Sequence, residues 1–261
     1  MKNTILVVFA ALCCTIAANA QNDTMYVMKN DIVVHTVILN KSNTDSIVFY
    51  NPHKNTVLDI DGNRYKTVVI GSQTWMAEDL KVTHYRNGDP IPNLQDSALW
   101  VDTWDGAYCA YNNSAENLKT YGALYNWLAV NDPRHIAPKG WHVASNAEMN
   151  SLIKLLGGEA IAGDKMKEAG NTHWIFDPFS AATNSSGFTA LPSGYRVMGY
   201  IKTTDANFFS FGRSVNYWTA DVDTEVTGDY GYSYELNNNT KSFKQYHREQ
   251  KNGFSVRCVK D

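Results

Sequence analysis

"PKGWHVASNAEMNSLIKLLGG", residues 138–158, is the stretch on which the fold turns. Ser145 followed by Glu148 has the spacing of a capping box, in which hydroxyl and carboxylate each satisfy a backbone N–H left unpaired at a helix start. Met149, Leu152, Ile153 and Leu156 then recur at the i, i+3, i+4, i+7 spacing of one helix face, and Gly157 supplies the left-handed residue on which helices end. The spacing predicts a short strand, a cap and a packed helix. A carboxylate used as a cap points back at its own backbone, so Glu148 reads as structural. Trp141-His142 reads as packing that seats the helix rather than as the lip of an active site.

Working outward, "YGALYNWLAV" at 121–130 places Tyr121, Leu124, Tyr125 and Leu128 at helical spacing and predicts a second helix. "VLDIDGNRYKTVVI" predicts a hairpin around Asp61-Gly62-Asn63, because Gly62 tolerates the positive φ of a tight turn. Asp59 and Asp61 lack the later oxygen ligands of a calcium loop. From about Asn171 onward, "HWIFD", "SGFTALPSGYRV", "NYWTADV", "YGYSYELN" and "GFSVRCVKD" are short aromatic and β-branched runs separated by turn formers. Two helices followed by a strand-and-loop half predict an α+β domain.

The first twenty residues stand apart. Lys2, an apolar run from Ile5 to Ile16 and Ala18-Asn19-Ala20 form the pattern of a cleaved export signal. Residues 21–56 read as a short β leader, with strands at "TMYVMK", "IVVHTVIL" and "DSIVFY" and a linker at "NPHKN"; residues 57–261 read as the main domain. Cleavage would leave Cys109 and Cys258, and two thiols in an exported chain are expected to pair, since oxidising compartments permit disulfides. The formal net charge of −3 and the absence of a dense Lys/Arg cluster argue against nucleic acid as a partner. The chain is 12% aromatic, with seven Trp and fifteen Tyr, which suits either a ring-packed β core or a surface that stacks on sugars or proteins.

Motifs for chemistry are sparse. His84, His135, His173 and His247 lack the i, i+4 spacing that would bring two imidazoles to one metal, the G-x-S-x-G elbow is missing, and Asp102, Asp105, Asp221 and Asp223 read as a solvated face. No cofactor or metal is predicted.

Several blocks in order, "VVIGSQTWMAEDL" at 68–80, "YGALYNW" at 121–127, the opening stretch, "SGFTALPSGYR" at 186–196, "YWTA" at 217–220 and "GFSVRCV" at 253–259, resemble the Fibrobacter succinogenes major paralogous domain. The resemblance covers roughly 57–261, and the leader resembles a β module found before such domains in exported Bacteroidetes proteins. It implies a C-type lectin-like α+β fold, with two main helices and twisted antiparallel sheets, related also to formylglycine-generating enzymes. Ala144 and Met149 depart from the family pattern, where proline and tryptophan are common. The calcium triplets of sugar-binding lectins have no counterpart at Tyr217-Trp218-Thr219-Ala220. The close cysteine pair of formylglycine-generating enzymes is also missing, since Cys109 and Cys258 lie far apart in sequence.

In such a fold "SGYRVMGYIKTTDANFFSFGRSVNYW", residues 193–218, occupies the long variable loop. Tyr195, Arg196, Tyr200, Phe208 and Phe209 are therefore the expected ligand-contact residues, with Arg196 as a bidentate donor. "ALWVDTWDGAYCAYN" offers a second aromatic rim through Trp100 and Trp104. The expected function is a secreted or cell-surface, non-catalytic binding module for glycan or protein, attached to the membrane at most through surface anchoring. The alternatives are an enzyme of the formylglycine-type fold with an unrecognised site, or a structural part of a surface assembly.

Overall fold

The computed structural model describes residues 55–198 and 208–261 in full, together with the backbone of strands at 7–9, 24–29 and 32–38. The chain divides into two units, Met1–Pro52 and His53–Asp261. In the first, β1 (Val7–Phe9) runs parallel to β2 (Thr24–Lys29), which pairs antiparallel with β3 (Ile32–Ile38). The strand expected at "DSIVFY" lies outside the described residues.

The second unit is α+β. In chain order it comprises β4 (Thr56–Leu58), β5 (Arg64–Ile70), β6 (Gln73–Met76), α1 (Ser97–Asp102), β7 (Tyr108–Cys109), α2 (Ala115–Tyr121), β8 (Leu124–Tyr125), α3 (Trp127–Val130), β9 (Trp141–Val143), α4 (Asn146–Leu155) and α5 (Glu159–Met166). Then follow β10 (Tyr195–Arg196), β11 (Phe208–Phe209), β12 (Ser214–Val222), β13 (Tyr230–Asn237), β14 (Phe243–Glu249) and β15 (Cys258–Lys260). The main sheet has the order β4-β5-β6-β15-β9, all antiparallel, with the last strand between β6 and β9. A second antiparallel sheet, β12-β13-β14, carries a bulge between Trp218 and Val222, which adds local twist.

The main sheet is covered on both faces. Successive strand residues point to opposite sides, and Cys258 and Met76 join one core with Tyr65, Trp141, Trp218 and Phe254, whereas their neighbours Val259 and Trp75 join a second with Met149, Leu152, Phe188 and Tyr217. α4 rests on this second core. Its capping box forms as predicted: the Ser145 hydroxyl accepts the Glu148 N–H, and the Glu148 carboxylate accepts the Ser145 N–H at 2.8 Å. Gly157 takes φ of 100° just beyond the helix. The hairpin around Gly62 also forms, with the Asp59 carboxylate accepting the Asn63 N–H and the Tyr65 hydroxyl.

Three expectations are corrected. Residues 121–130 do not form one helix: α2 ends at Tyr121, Leu124–Tyr125 pairs with Tyr108–Cys109, and Asn126 caps the short α3. The break is set at Gly122, whose φ of 80° favours glycine, and where a Cβ would lie 2.8 Å from the Asp79 Cβ and 2.9 Å from the Leu80 carbonyl. Burial is unbroken from Gly122 to Trp127, so the apolar spacing did not report a single face. "HWIFD" is irregular, with Trp174 buried and Phe176 exposed.

The third correction concerns the cysteines. Cys109 and Cys258 are free, buried thiols. Cys109 sits on β7 in a small cluster with Trp100, Ala107 and Leu124, while Cys258 sits in the main sheet opposite Val143. Each is a core side chain in a different cluster. Burial pushes the Cys109 thiol up to about 11, so neither the packing nor the acidity marks a reactive sulfur.

Candidate binding face

The predicted loop, residues 193–218, contains a two-residue ribbon, β10 against β11, with Tyr195 opposite Phe209 and Arg196 opposite Phe208, and its last residues, from Ser214, belong to β12. The ribbon starts from Gly194, whose φ is 66° and where a Cβ would lie 2.5 Å from both the Phe209 carbonyl and the Tyr111 ring. Any side chain there would separate the ribbon from its neighbour. Tyr200 lies outside the described residues.

Opposite faces of a ribbon carry alternate residues, and here each face carries rings. On one, Tyr195 and Phe209 stack with centroids 6.0 Å apart, and Phe254 meets Tyr195 edge-on behind them. Phe209 is 46% exposed, which makes it the outermost ring of the ribbon. On the other face Phe208 packs on Tyr111 at 5.2 Å, Tyr111 stacks on Phe211 at 4.6 Å, and Phe211 meets Tyr121 at 4.8 Å. The series ends where Tyr121 meets His173, whose Nδ1 lies 2.7 Å from Glu168. Tyr111, Phe211, Tyr121 and His173 are all partly exposed. None was picked out from sequence as a contact residue: Tyr111, Tyr121 and His173 come from three segments outside the quoted loop, and Phe211 lies within it.

Arg196 does not serve as an exposed donor. It is fully buried, with its guanidinium between Trp100 at 4.5 Å and Phe208 at 5.1 Å. Its Nη atoms donate to the Leu94 carbonyl at 2.6 Å and the Gln95 carbonyl at 3.1 Å. The charge fastens the ribbon to the segment before α1, and its two outer nitrogens are already bonded to the main chain.

A polar concavity lies elsewhere, around His142. A cleft of about 300 Å³ is lined by Arg86, Asp132, Trp141, His142 and Asp261 among others. Trp141 is buried in the core, as expected from its place in the strand. His142 is flanked on both ring nitrogens, by Asp261 on Nδ1 at 2.7 Å and by Glu148 on Nε2 at 2.9 Å. Only the imidazolium can donate to both. Burial alone would lower its pKa, but the hydrogen bonds and charges of Asp261 and Glu148 outweigh it and hold it above the ordinary 6.5. The other ions at this cleft are also matched: Asp132 pairs with Arg134 at 2.8 Å, and Arg86 donates to the carbonyls of Ala137, Pro138 and Trp141.

This arrangement fixes a pH dependence. A group with a raised folded pKa contributes stability that is complete below its unfolded value and is lost as pH rises through the folded one. His142 is therefore expected to stabilise the fold at about pH 6 and to contribute less at about pH 9, as pH rises through its raised folded value. The effect is modest, because the side chain is 42% exposed and solvent screens the pairs. Urea denaturation of the chain and of His142→Gln tests this: the stability gap should shrink between these two pH values, and a constant gap would contradict the ionic pairing.

Among the described residues, no group of three or more His, Cys, Asp or Glu is arranged to hold a metal ion, and no helix is long and apolar enough to cross a membrane. In comparison with known proteins, the family described as the Fibrobacter succinogenes major domain matches residues 68–260. No curated protein and no solved structure matches.

Proposed function

Because the chain belongs to the Fibrobacter succinogenes major domain family, we propose that it is an exported or cell-surface, non-catalytic binding module with a C-type lectin-like fold, recognising glycan or protein through the β10–β11 ribbon. The observation that carries this reading is the ring-bearing ribbon itself, with Tyr195 and Phe209 stacked and Phe209 open to solvent. Exposed aromatic rings supply large contact area at low conformational cost, and a rigid support reduces what binding must spend on ordering. Arg196 is that support, held below the ribbon by Leu94 and Gln95. The occupation of both His142 ring nitrogens by Asp261 and Glu148 favours recognition over acid–base chemistry, since a working base needs a free face toward its substrate.

The test is a glycan and surface-protein array probed with the full chain and with Phe209→Ala and Tyr195→Ala. Each variant is expected to weaken the binding found with the unaltered chain about tenfold, or ~1.4 kcal/mol. Phe209→Ala should leave the melting temperature nearly unchanged. Equal binding by all three proteins would remove the ribbon from the site.

A further inference from the structure

The two tryptophans of "ALWVDTWDG" have opposite fates: Trp100 is fully buried, and Trp104 is 64% exposed. Exposure alone would make Trp104 an ordinary surface ring. Its surroundings fix it in place. α1 ends just before it, with the Thr103 N–H donating to the Leu99 carbonyl at 3.1 Å. The Thr103 hydroxyl accepts the Asp105 N–H at 3.0 Å, and the Asp105 carbonyl accepts from Asn126 Nδ2 at 2.9 Å. At Gly106, a Cβ would lie 2.1 Å from the Tyr85 hydroxyl and 2.9 Å from the Ala129 Cα, so the chain there is closely packed. The ring is held from one face by the Lys251 ammonium, 3.8 Å from its centroid, which also donates to the Val101 carbonyl at 2.7 Å.

The segment that supplies this lysine also supports the ribbon. The Lys251 carbonyl accepts Trp100 Nε1 at 2.7 Å, Asn252 Oδ1 accepts the Met198 N–H at 2.9 Å, and Gly253 exchanges two main-chain bonds with Arg196. Three consecutive residues thus tie the exposed indole to the base of the ribbon.

We propose that Trp104 is a second stacking subsite beside the ribbon, and that the ligand is a glycan chain of several pyranose rings. This rests on the reading that the ribbon face binds a ligand. A pyranose offers a C–H face that lies flat on an aromatic ring and a rim of hydroxyls that need acceptors. Trp104 supplies the ring, and the carboxylates of Asp102 and Asp105, both exposed, flank it in the chain. A protein hot spot is instead surrounded by contacts that exclude water, whereas Trp104 is 64% exposed and its chain neighbours Thr103 and Asp105 are polar. Two separate platforms favour a chain over a single sugar, because the second contact becomes intramolecular once the first is made.

The experiment is affinity electrophoresis of the full chain in gels containing soluble β-glucan, xylan or glucomannan, followed by calorimetry with the matching disaccharide and hexasaccharide. The hexasaccharide is expected to bind more tightly, and Trp104→Ala to remove about tenfold of that gain with the melting temperature unchanged; Trp104→Phe should retain part. If Trp104→Ala is neutral while Phe209→Ala weakens binding, the second subsite is overturned and the ribbon stands. If Phe209→Ala is also neutral, the ribbon reading falls with it. Retardation by none of the polysaccharides overturns the glycan assignment and directs the ribbon to a protein partner.

Discussion

Arg257→Met is expected to lower the stability of the fold by about 3–5 kcal/mol, the usual cost of breaking a buried ion pair from one side. Arg257 is fully buried, and Nε pairs with the Asp79 carboxylate. Nη1 donates to the Met76 carbonyl at 3.0 Å and the Phe188 carbonyl at 2.5 Å, and Nη2 to the Thr189 carbonyl at 3.1 Å. The guanidinium also lies 4.2 Å from the Phe188 ring centroid. Methionine fills much of the volume but leaves the carboxylate and three carbonyls without their donor. Burial already raises the Asp79 pKa, and Arg257 pulls it back down; without the arginine the carboxyl should take up a proton on folding. Urea denaturation measures the loss, and the melting temperature should fall by roughly 6–20 °C for a domain of this size. Pairing Arg257→Met with Asp79→Leu should recover part of the loss, because an apolar pair leaves no stranded charge. A single-variant loss below about 1 kcal/mol would mean that water reaches this pair.

Lys167→Met is expected to cost about 3 kcal/mol for a related reason. The Lys167 side chain is almost wholly buried just after α5, and its ammonium reaches the Asp164 carboxylate at 3.0 Å, the Asn237 carbonyl at 3.0 Å, the Thr240 carbonyl at 2.7 Å and the Ser180 hydroxyl. One cation thereby joins the helix end to two loops. Burial pulls its pKa below the usual lysine range, and Asp164 opposes that shift. Removing it should loosen the loops before the core. Hydrogen exchange tests this, because the Ala181 N–H bonds the Asp164 carboxylate at 3.0 Å and the Thr183 N–H bonds the Asp164 carbonyl at 2.7 Å. Both amides should lose protection more than those of β12 and β13. Lys167→Arg should not restore them, since a planar fork does not match four oxygens around a point charge. Unchanged protection at both amides would show that the loops hold themselves.

What was legible in the sequence was local. The capping box of α4 depends on residues three apart, and the hairpin at Gly62 on one turn; both appear as read. "YGALYNWLAV" failed because its decisive constraint lies in another segment, where Asp79 and Leu80 leave no room for a Cβ at Gly122. β14 was missed because "FKQYHRE" is polar: the strand buries Phe243 at one end and carries Lys244 and Arg248 along it. At the candidate face, Tyr195, Phe208 and Phe209 come together in the ribbon, whereas Arg196 turned inward for want of any signal that Trp100 and the Leu94 carbonyl would meet it. His142 was assigned to packing on good grounds, yet its link to Asp261 spans the domain and has no local trace.

The position of β15 carries a kinetic consequence. Within the main sheet, β6 and β9 meet only through Cys258–Lys260, so the two halves cannot zip together until the ribosome has delivered those final strand residues. Their register is closed by pairings such as Val259 with both Trp75 and His142, contacts of very long sequence separation. Such non-local pairings slow folding, and a chain stopped short of residue 258 would present two open β edges in search of a partner.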